Sequence, residues 1–584
     1  MLDFKIYNDI IKSFNRDFLL GISENIIDTL QHLNFILSND IEPQDIKTFQ
    51  INKPEYNLIK NKITEVLKQL NIHNSSIIIS SPLFNDKNFI QDKIYNVKYI
   101  IEPNNLSYEK KLIKKLIKPN KFLSDNIIII DGIDTYPEQN PEKILDDKYS
   151  LVYNFNSSFK NPEVHFYISL ILPNMLKNAE TYIKTQLYLD NIYSNYNGII
   201  DELTKAGYGF AMTLNNDNLI MYLKTDNNNC SLLINDIIKS IFSKNNKEKG
   251  FTSVKEKSYK KYNSFYREQP IKKINVRINK LLLNTYYTPY EMKDYILNSS
   301  FDECKKLFFD IIENCNTTIV VSGNIRKNDA IKFSNQIYEC LPIKNKINID
   351  MNDNKLKTID YPFIPKCKNY NKKEKNNVMT LSYVIFSLKK SDPEFYDNVA
   401  FLQLIDAVLD IRYFIELRTK QQLGYIVHTK QSYIGSDFIK TGTIQFRIQS
   451  PVQTSDFLLE QTKKFIINEL NLIEKFDEDK FDEYKKGIIS SLKNKYNNLS
   501  ELDIYLCSNI FDFSYAYDYK DKLIESIEAT GGLLVLLESH SKMLIDKDKS
   551  DPDIDKFVRA KEAIIELTER MNLWNFKEPN TEQK

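Results

Sequence analysis

The feature that most constrains this fold is an internal repeat. An apolar strand pattern over residues 164–170 leads through a long helical stretch to Leu203-Thr204-Lys205-Ala206-Gly207-Tyr208 and a second strand, 209–214. Farther on, a strand pattern over 378–386 leads through a helix to Arg418-Thr419-Lys420-Gln421-Gln422-Leu423-Gly424-Tyr425, and the two Gly-Tyr pairs stand 217 residues apart. A domain-sized period describes a duplicated domain.

The second copy shows its boundaries. Asp392 is expected to cap the helix with Pro393 in its first turn, and apolar residues recur at Phe401, Leu404, Ile405, Val408, Leu409 and Phe414 until the helix stops near Thr419. Tyr425-Ile426-Val427 starts a strand and Gly435-Ser436-Asp437 makes a turn. Ile444, Phe446 and Ile448 then alternate with Gln445, Arg447 and Gln449, so the hairpin is expected to bury one face. The first copy turns at Asn215-Asn216-Asp217-Asn218, and both copies continue into helices, around 232–242 and 457–472. The fold class is α+β, tandem repeats of an antiparallel sheet with helices packed on one face.

A helix at 56–70 followed by a strand at 76–80 parallels a helix at 301–314 followed by a strand at 318–322, so the chain is expected to open in the tail of an earlier repeat. The expected organisation is a remnant domain at 1–105, a linker at 106–140 holding Pro119 and Pro137, and a middle domain at 141–345. A polar linker at 346–375 and a last domain at 376–584 follow.

Composition excludes more than it assigns. Lys plus Arg is 79 against 78 for Asp plus Glu, a net charge of +1 over 584 residues, which gives no global field toward nucleic acid or an anionic membrane. The six cysteines are widely spaced without a Cys-x-x-Cys pair. The N-terminus lacks a signal-peptide pattern and no stretch reaches the ~18 apolar residues of a membrane span, so a cytoplasmic protein is expected. With 13 glycines and heavy use of Asn, Ile, Lys and Tyr, all with A/T-rich codons, Asn and Lys clusters carry little functional signal.

Residues 417–427, the preceding helix end with Phe414, the segment Tyr262-Asn263-Ser264-Phe265-Tyr266-Arg267-Glu268-Gln269-Pro270 and Ser322-Gly323-Asn324-Ile325 together resemble the C-terminal half of insulinase-family zinc metallopeptidases, the insulin-degrading enzyme and pitrilysin type. The resemblance covers roughly Asn25 to Tyr517. It implies insulinase/LuxS-like metallohydrolase domains, in two halves that close around an unfolded peptide, with zinc on an inverted His-x-x-Glu-His helix of the other half. No such motif is in this sequence. Its histidines are His32, His73, His165, His428 and His540, of which His32 and His73 are the nearest pair. The resemblance implies that Arg418 and Tyr425 face substrate as catalytic contacts and that Phe414 is a substrate-binding position. Zinc is expected in a partner or N-terminal half, and the partners are a peptide or unfolded protein and a zinc-bearing subunit, with no nucleic acid and no membrane.

Taken singly, an Arg at a helix end is a dipole partner and a Tyr opening a strand is core. A catalytically inactive peptide-binding or scaffold protein is the alternative reading. His428 reads as a strand-surface or core histidine rather than a ligand. Residues 127–132, Ile-Ile-Ile-Ile-Asp-Gly, read as a buried strand ending in a turn, because no phosphate-binding Gly-rich loop accompanies them. Residues 255–280, rich in Lys, Arg and Tyr, read as an amphipathic helix with a solvated face rather than a nucleic-acid groove.

Overall fold

The computed structural model describes residues 140–350, 371, 373–435, 438–472 and 477–531. It also describes 4–20, 30–31, 33–34, 38, 55–71, 74–81, 89–103, 118–124, 126–131 and 356. The chain divides into two compact units, Met1–Ile128 with Ile199–Tyr208, and Ile129–Gly198 with Gly209–Lys584. In the first unit, helices Phe4–Leu20 and Tyr56–Gln69 meet through Phe4, Tyr7 and Tyr56, whose rings cross at 5.2–6.4 Å, and a short hairpin pairs β1 (Ile90–Gln91) with β2 (Lys98–Tyr99). Residues 76–80 form no paired strand here, and Ile78 is 95% exposed. The isoleucine run supplies β propensity, but among the described residues no neighbouring strand supplies a ladder.

The second unit holds the paired strands of both repeats. Its first sheet comprises β3 (Glu142–Asp146), β4 (Ser150–Phe155), β5 (Glu163–Ile171), β6 (Gly209–Asn215), β7 (Asn218–Asp226), β8 (Asn314–Gly323) and β9 (Asn345–Lys346). The order is β3-β4-β8-β5-β7-β6 with β9 beside the start of β8; β4 and β9 run parallel to β8, and the other pairs are antiparallel. Asn216 sits at φ 53°, in the left-handed region that a tight two-residue hairpin turn between β6 and β7 requires. Residues 127–131 are not the buried strand that their isoleucines suggest: Ile128 and Ile129 are exposed. Ile130 is held by the Asn324 side chain, which accepts from its amide at 2.7 Å and donates to its carbonyl at 2.9 Å.

The second sheet is β10 (Asn377–Lys389), β12 (Ile439–Ser450) and β11 (Ile426–Gly435), in the order β10-β12-β11, all antiparallel. The repeat equates β5 with β10, β6 with β11 and β7 with β12. β8 lies on the far side of β5, whereas among the described residues no strand lies on the far side of β10. Helix Phe395–Tyr413 packs on one face, bringing Phe401, Leu404 and Val408 into one core with Leu381, Phe446 and Ile448. Asp392 does not cap this helix. Its carboxylate accepts from the Lys389 amide at 2.8 Å, closing the turn after β10, and the helix begins two residues beyond Pro393. The hairpin also buries more than one face, because β12 is central and its Gln445 and Arg447 are covered by their neighbours. Along the outer side of β11, the Asp410 carboxylate accepts from the Thr429 amide at 2.7 Å and Asp406 accepts from the Thr429 hydroxyl at 2.6 Å and from the Gln431 amide.

The two repeats are joined by helix Leu499–Ile510, which lays Leu499, Leu502, Leu506 and Ile510 against Val152 and Val320 of the first sheet. Each fully buried leucine contributes about 1.5–3 kcal/mol. Within this contact, buried His165 places Nδ1 2.7 Å from the Asp503 carboxylate and Nε2 3.7 Å from Glu163, which also pairs with Lys224 at 2.6 Å. Burial pushes the His165 pKa down, but the hydrogen bond to Asp503 and the nearby Glu163 carboxylate outweigh it and the net shift is upward. Burial likewise pushes Glu163 up, and His165 and Lys224 override it to hold that carboxyl at about 2.

The raised imidazole contributes stability that is complete below its ordinary pKa of about 6.5 and is lost as pH rises through the folded value. The depressed Glu163 contributes stability present above its ordinary value of about 4.3 and lost as pH falls toward 2. The thermal midpoint is therefore expected to be highest between about pH 4.5 and 6.5 and to fall on either side. A His165→Gln variant should lose the alkaline limb of that profile in a calorimetric pH series. Among the described residues no helix is long and apolar enough to cross a membrane.

Candidate functional site

Helix Phe395–Tyr413 does not end at its last α-turn. It widens into a π-helical segment, Phe414–Lys420, in which the chain closes by longer bonds: the Gln421 amide donates to the Glu416 carbonyl at 3.0 Å and the Leu423 amide to the Leu417 carbonyl at 2.9 Å. Such insertions concentrate at functional sites because the wider turn re-aims side chains. Leu417 and Leu423 are buried and anchor the segment at both ends. Glu416 ties it on the outside, pairing with Lys420 at 3.0 Å and accepting from Gln421 at 3.1 Å.

With both ends fixed, Phe414 and Arg418 fall on one face, and Tyr425 at the mouth of β11 faces them. The Arg418 guanidinium lies 4.7 Å from the ring centres of both Phe414 and Tyr425. Stacking occupies the faces of the guanidinium plane and leaves its in-plane N–H donors available. Among the described residues no carboxylate is paired with it. Phe414 is 37% and Tyr425 78% exposed, and Ile411 and Ile415 extend the exposed apolar strip along the helix.

The repeat provides an internal control. Tyr208, the counterpart of Tyr425, is only 4% exposed and lies under the Arg16 guanidinium at 4.9 Å. Gly207 adopts φ 78° to turn the chain into β6, whereas in the second copy Gln422 takes the left-handed position, at φ 54°. Gly424 serves a different need: a Cβ there would lie 2.2 Å from the Gln449 carbonyl oxygen. Gly424→Ala must push β11 from β12 where Tyr425 is presented, with an expected loss of about 1–3 kcal/mol read from the urea midpoint.

The other sequence candidates fall elsewhere. His428 is half-buried on β11 opposite Arg447, and burial followed by the Arg447 charge holds its pKa below the ordinary imidazole value. Residues 255–280 form two helices, Phe251–Asn263 and Pro270–Leu282, separated by a 3-10 turn. Their cations are engaged within the protein: Lys255 donates to the Leu297 and Ser299 carbonyls, Lys273 to the Tyr266 carbonyl, and Lys280 pairs with Glu291 at 2.7 Å. The π-helical segment and the His165–Asp503 pair were not apparent from sequence, although a histidine inside an otherwise apolar strand marks a position that needs a partner.

Residues 24–294 match the family described as the middle or third domain of peptidase M16, and residues 404–503 match the PQQ synthase PqqF-like C-terminal lobe, domain 4. This chain belongs to the insulinase-type peptidase M16 family. A nardilysin-like protein of Arabidopsis thaliana is 21% identical over 416 residues, covering 69% of this chain and 39% of that protein. The A-factor-processing enzyme of Saccharomyces cerevisiae is 22% identical over 415 residues (70% and 39%), and human insulin-degrading enzyme 22% over 479 residues (78% and 45%). The chain thus spans less than half the length of these curated M16 relatives. Among solved structures, pitrilysin superposes with a TM-score of 0.68 at 15% identity, covering 92% of this chain and 56% of that one. A peptidase M16 inactive domain from Pseudomonas fluorescens superposes with a TM-score of 0.51 at 13% identity, covering 70% and 95%. These two show the shared M16 fold.

The residues described do not fit the zinc of M16 peptidases. Phe414, Arg418 and Tyr425 present a ring, a cation and a phenol. His165 has its Nδ1 engaged by Asp503, with the Lys224 ammonium on the neighbouring Glu163 where a second metal ligand would be needed. Among the described residues no three His, Cys, Asp or Glu side chains converge as a metal site.

Proposed function

We propose that this chain is the substrate-facing, non-metal half of an insulinase-type endopeptidase, acting on peptides or unfolded protein beside a zinc-bearing half or subunit. The observation that carries the reading is the pose of Tyr425, exposed and stacked on Arg418, where its repeat counterpart Tyr208 is buried. The same position in the other repeat is filled by a packed tyrosine, so the exposure of Tyr425 beside a cation with no carboxylate partner among the described residues favours a ligand-facing role. In this role the Arg418 fork holds a peptide carbonyl or carboxylate, the Tyr425 hydroxyl donates to an oxyanion developing on the scissile carbonyl, and Phe414 packs against an apolar substrate side chain. The zinc of the other half supplies the Lewis acid and activated water.

Native mass spectrometry with zinc analysis on the chain isolated from its source tests this. A complex with a zinc-carrying subunit that cleaves peptides supports the reading, and cleavage-free complexes overturn it. The second reading, a catalytically inactive peptide-binding protein, is favoured by the likeness to an M16 domain solved as inactive, which this chain covers over 95% of its length. It is distinguished by peptide binding without turnover.

A further inference from the structure

The second sheet carries a polar face that the peptidase reading does not use. The period-two alternation that turns Ile444, Phe446 and Ile448 of β12 into the core turns Gln445 and Arg447 the other way. Register places Arg447 between Thr380 of β10 and His428 of β11, and Gln445 between Ser382 and Lys430. Side chains directly opposite in a ladder share a face. Residues 377–389, 426–435 and 439–450 contain no Asp or Glu, and on this face Arg447 and Lys430 lie on adjacent rungs. Asp406 and Asp410 bond to Thr429, which points to the other face.

Arg447 is the unusual member. It is 6% exposed, and its donors reach a neutral acceptor, the Oε1 of Gln445. Among the described residues no carboxylate pairs with it. A buried guanidinium without a counter-charge is destabilising, and the group whose geometry matches its fork is a carboxylate. On the same rung Thr380 Oγ1 is buried without a hydrogen-bond partner. At one end the face is closed, because Gln449 Oε1 accepts from the Ile271 amide at the start of helix Pro270–Leu282. At the other end it opens, since Ser382 and Lys430 on the next rung are exposed.

We propose that this face is a carboxylate-binding surface for an acidic peptide, with Arg447 and Thr380 holding one carboxylate and Lys430 attracting the next at the open rim. The site is separate in composition from Phe414, Arg418 and Tyr425, and it holds whether or not the chain takes part in cleavage.

The test is fluorescence anisotropy of a labelled short peptide carrying several glutamates, compared with the same peptide carrying glutamines, on the full chain at low salt. The acidic peptide should bind at least about tenfold tighter. Arg447→Met should abolish that preference, and Lys430→Gln, on an exposed rung where folding is not at stake, should weaken it severalfold. Equal binding of the two peptides, or a preference that survives both substitutions, overturns the proposal. Thermal unfolding supplies a second arm. If Arg447 has no partner within the chain, Arg447→Met leaves the midpoint unchanged or raises it. A lowered midpoint with native circular dichroism shows that one of the chain's own carboxylates already occupies the site, and it too overturns the proposal.

Discussion

Replacing Arg418 by alanine is expected to lower peptide cleavage by the proposed complex of this chain with a zinc-bearing half by about a hundredfold or more, with complex formation unchanged. The magnitude is that of losing the fork that positions the peptide, since a misplacement of about 1 Å costs about 10² in rate. Arg418 meets the structural requirements for that role, since its guanidinium is steadied by two rings, each 4.7 Å away, and has no carboxylate partner among the described residues. Tyr425→Phe keeps the stack and removes the hydroxyl, so it isolates hydrogen bonding from packing. It should lower kcat with little change in KM, whereas Phe414→Ala, which loosens the clamp and removes an apolar contact, should raise KM as well. A kcat/KM within a few-fold of wild type for Arg418→Ala would remove Arg418 from the chemistry and leave it a helix-end cation.

Asp503→Ala is expected to destabilise the second unit by about 3–5 kcal/mol, a large share of a typical domain's stability. The mechanism is a stranded charge. His165 is fully buried with its pKa raised, so below about pH 6.5, where the ring is protonated, removing Asp503 leaves an imidazolium with one more distant carboxylate, 3.7 Å away and already shared with Lys224. Replacing both His165 and Asp503 by leucine removes the charges together and should recover most of the loss. Urea denaturation of the single and double variants closes the cycle. A double variant as unstable as Asp503→Ala would assign the effect to packing of helix Leu499–Ile510 rather than to the ion pair.

Local signals in the sequence marked out much of this molecule. β5, β6, β10 and helix Phe395–Tyr413 follow from apolar period and from punctuation by Gly and Pro, whereas Arg418, Tyr425 and Phe414 are singled out only by the family resemblance of the stretch that carries them, and the structure brings the three side chains together. What local signals could not carry is pairing. Residues 76–80 and 127–130 have the composition of strands, yet a strand exists only where another backbone meets it, and propensity says nothing about that. Asp392 has the chemistry of a helix cap, but the Lys389 amide, three residues earlier in the chain, competes for the same carboxylate and wins. The partners His165 and Asp503 stand 338 residues apart, so neither residue's neighbours in sequence hint at the other. The π-helical segment is equally silent, because its cause is the demand that Leu417 and Leu423 both reach the core, which is set by the sheet and not by the helix.

The carboxylates of Asp406 and Asp410 along β11 bear on how copies of this protein can associate. They take up the Thr429 and Gln431 amides, which an incoming backbone would otherwise bind, so along these rungs β11 is closed to strand addition. A second copy approaching this margin finds no free ladder to extend, and the two carboxylates act as a guard against edge-to-edge association there.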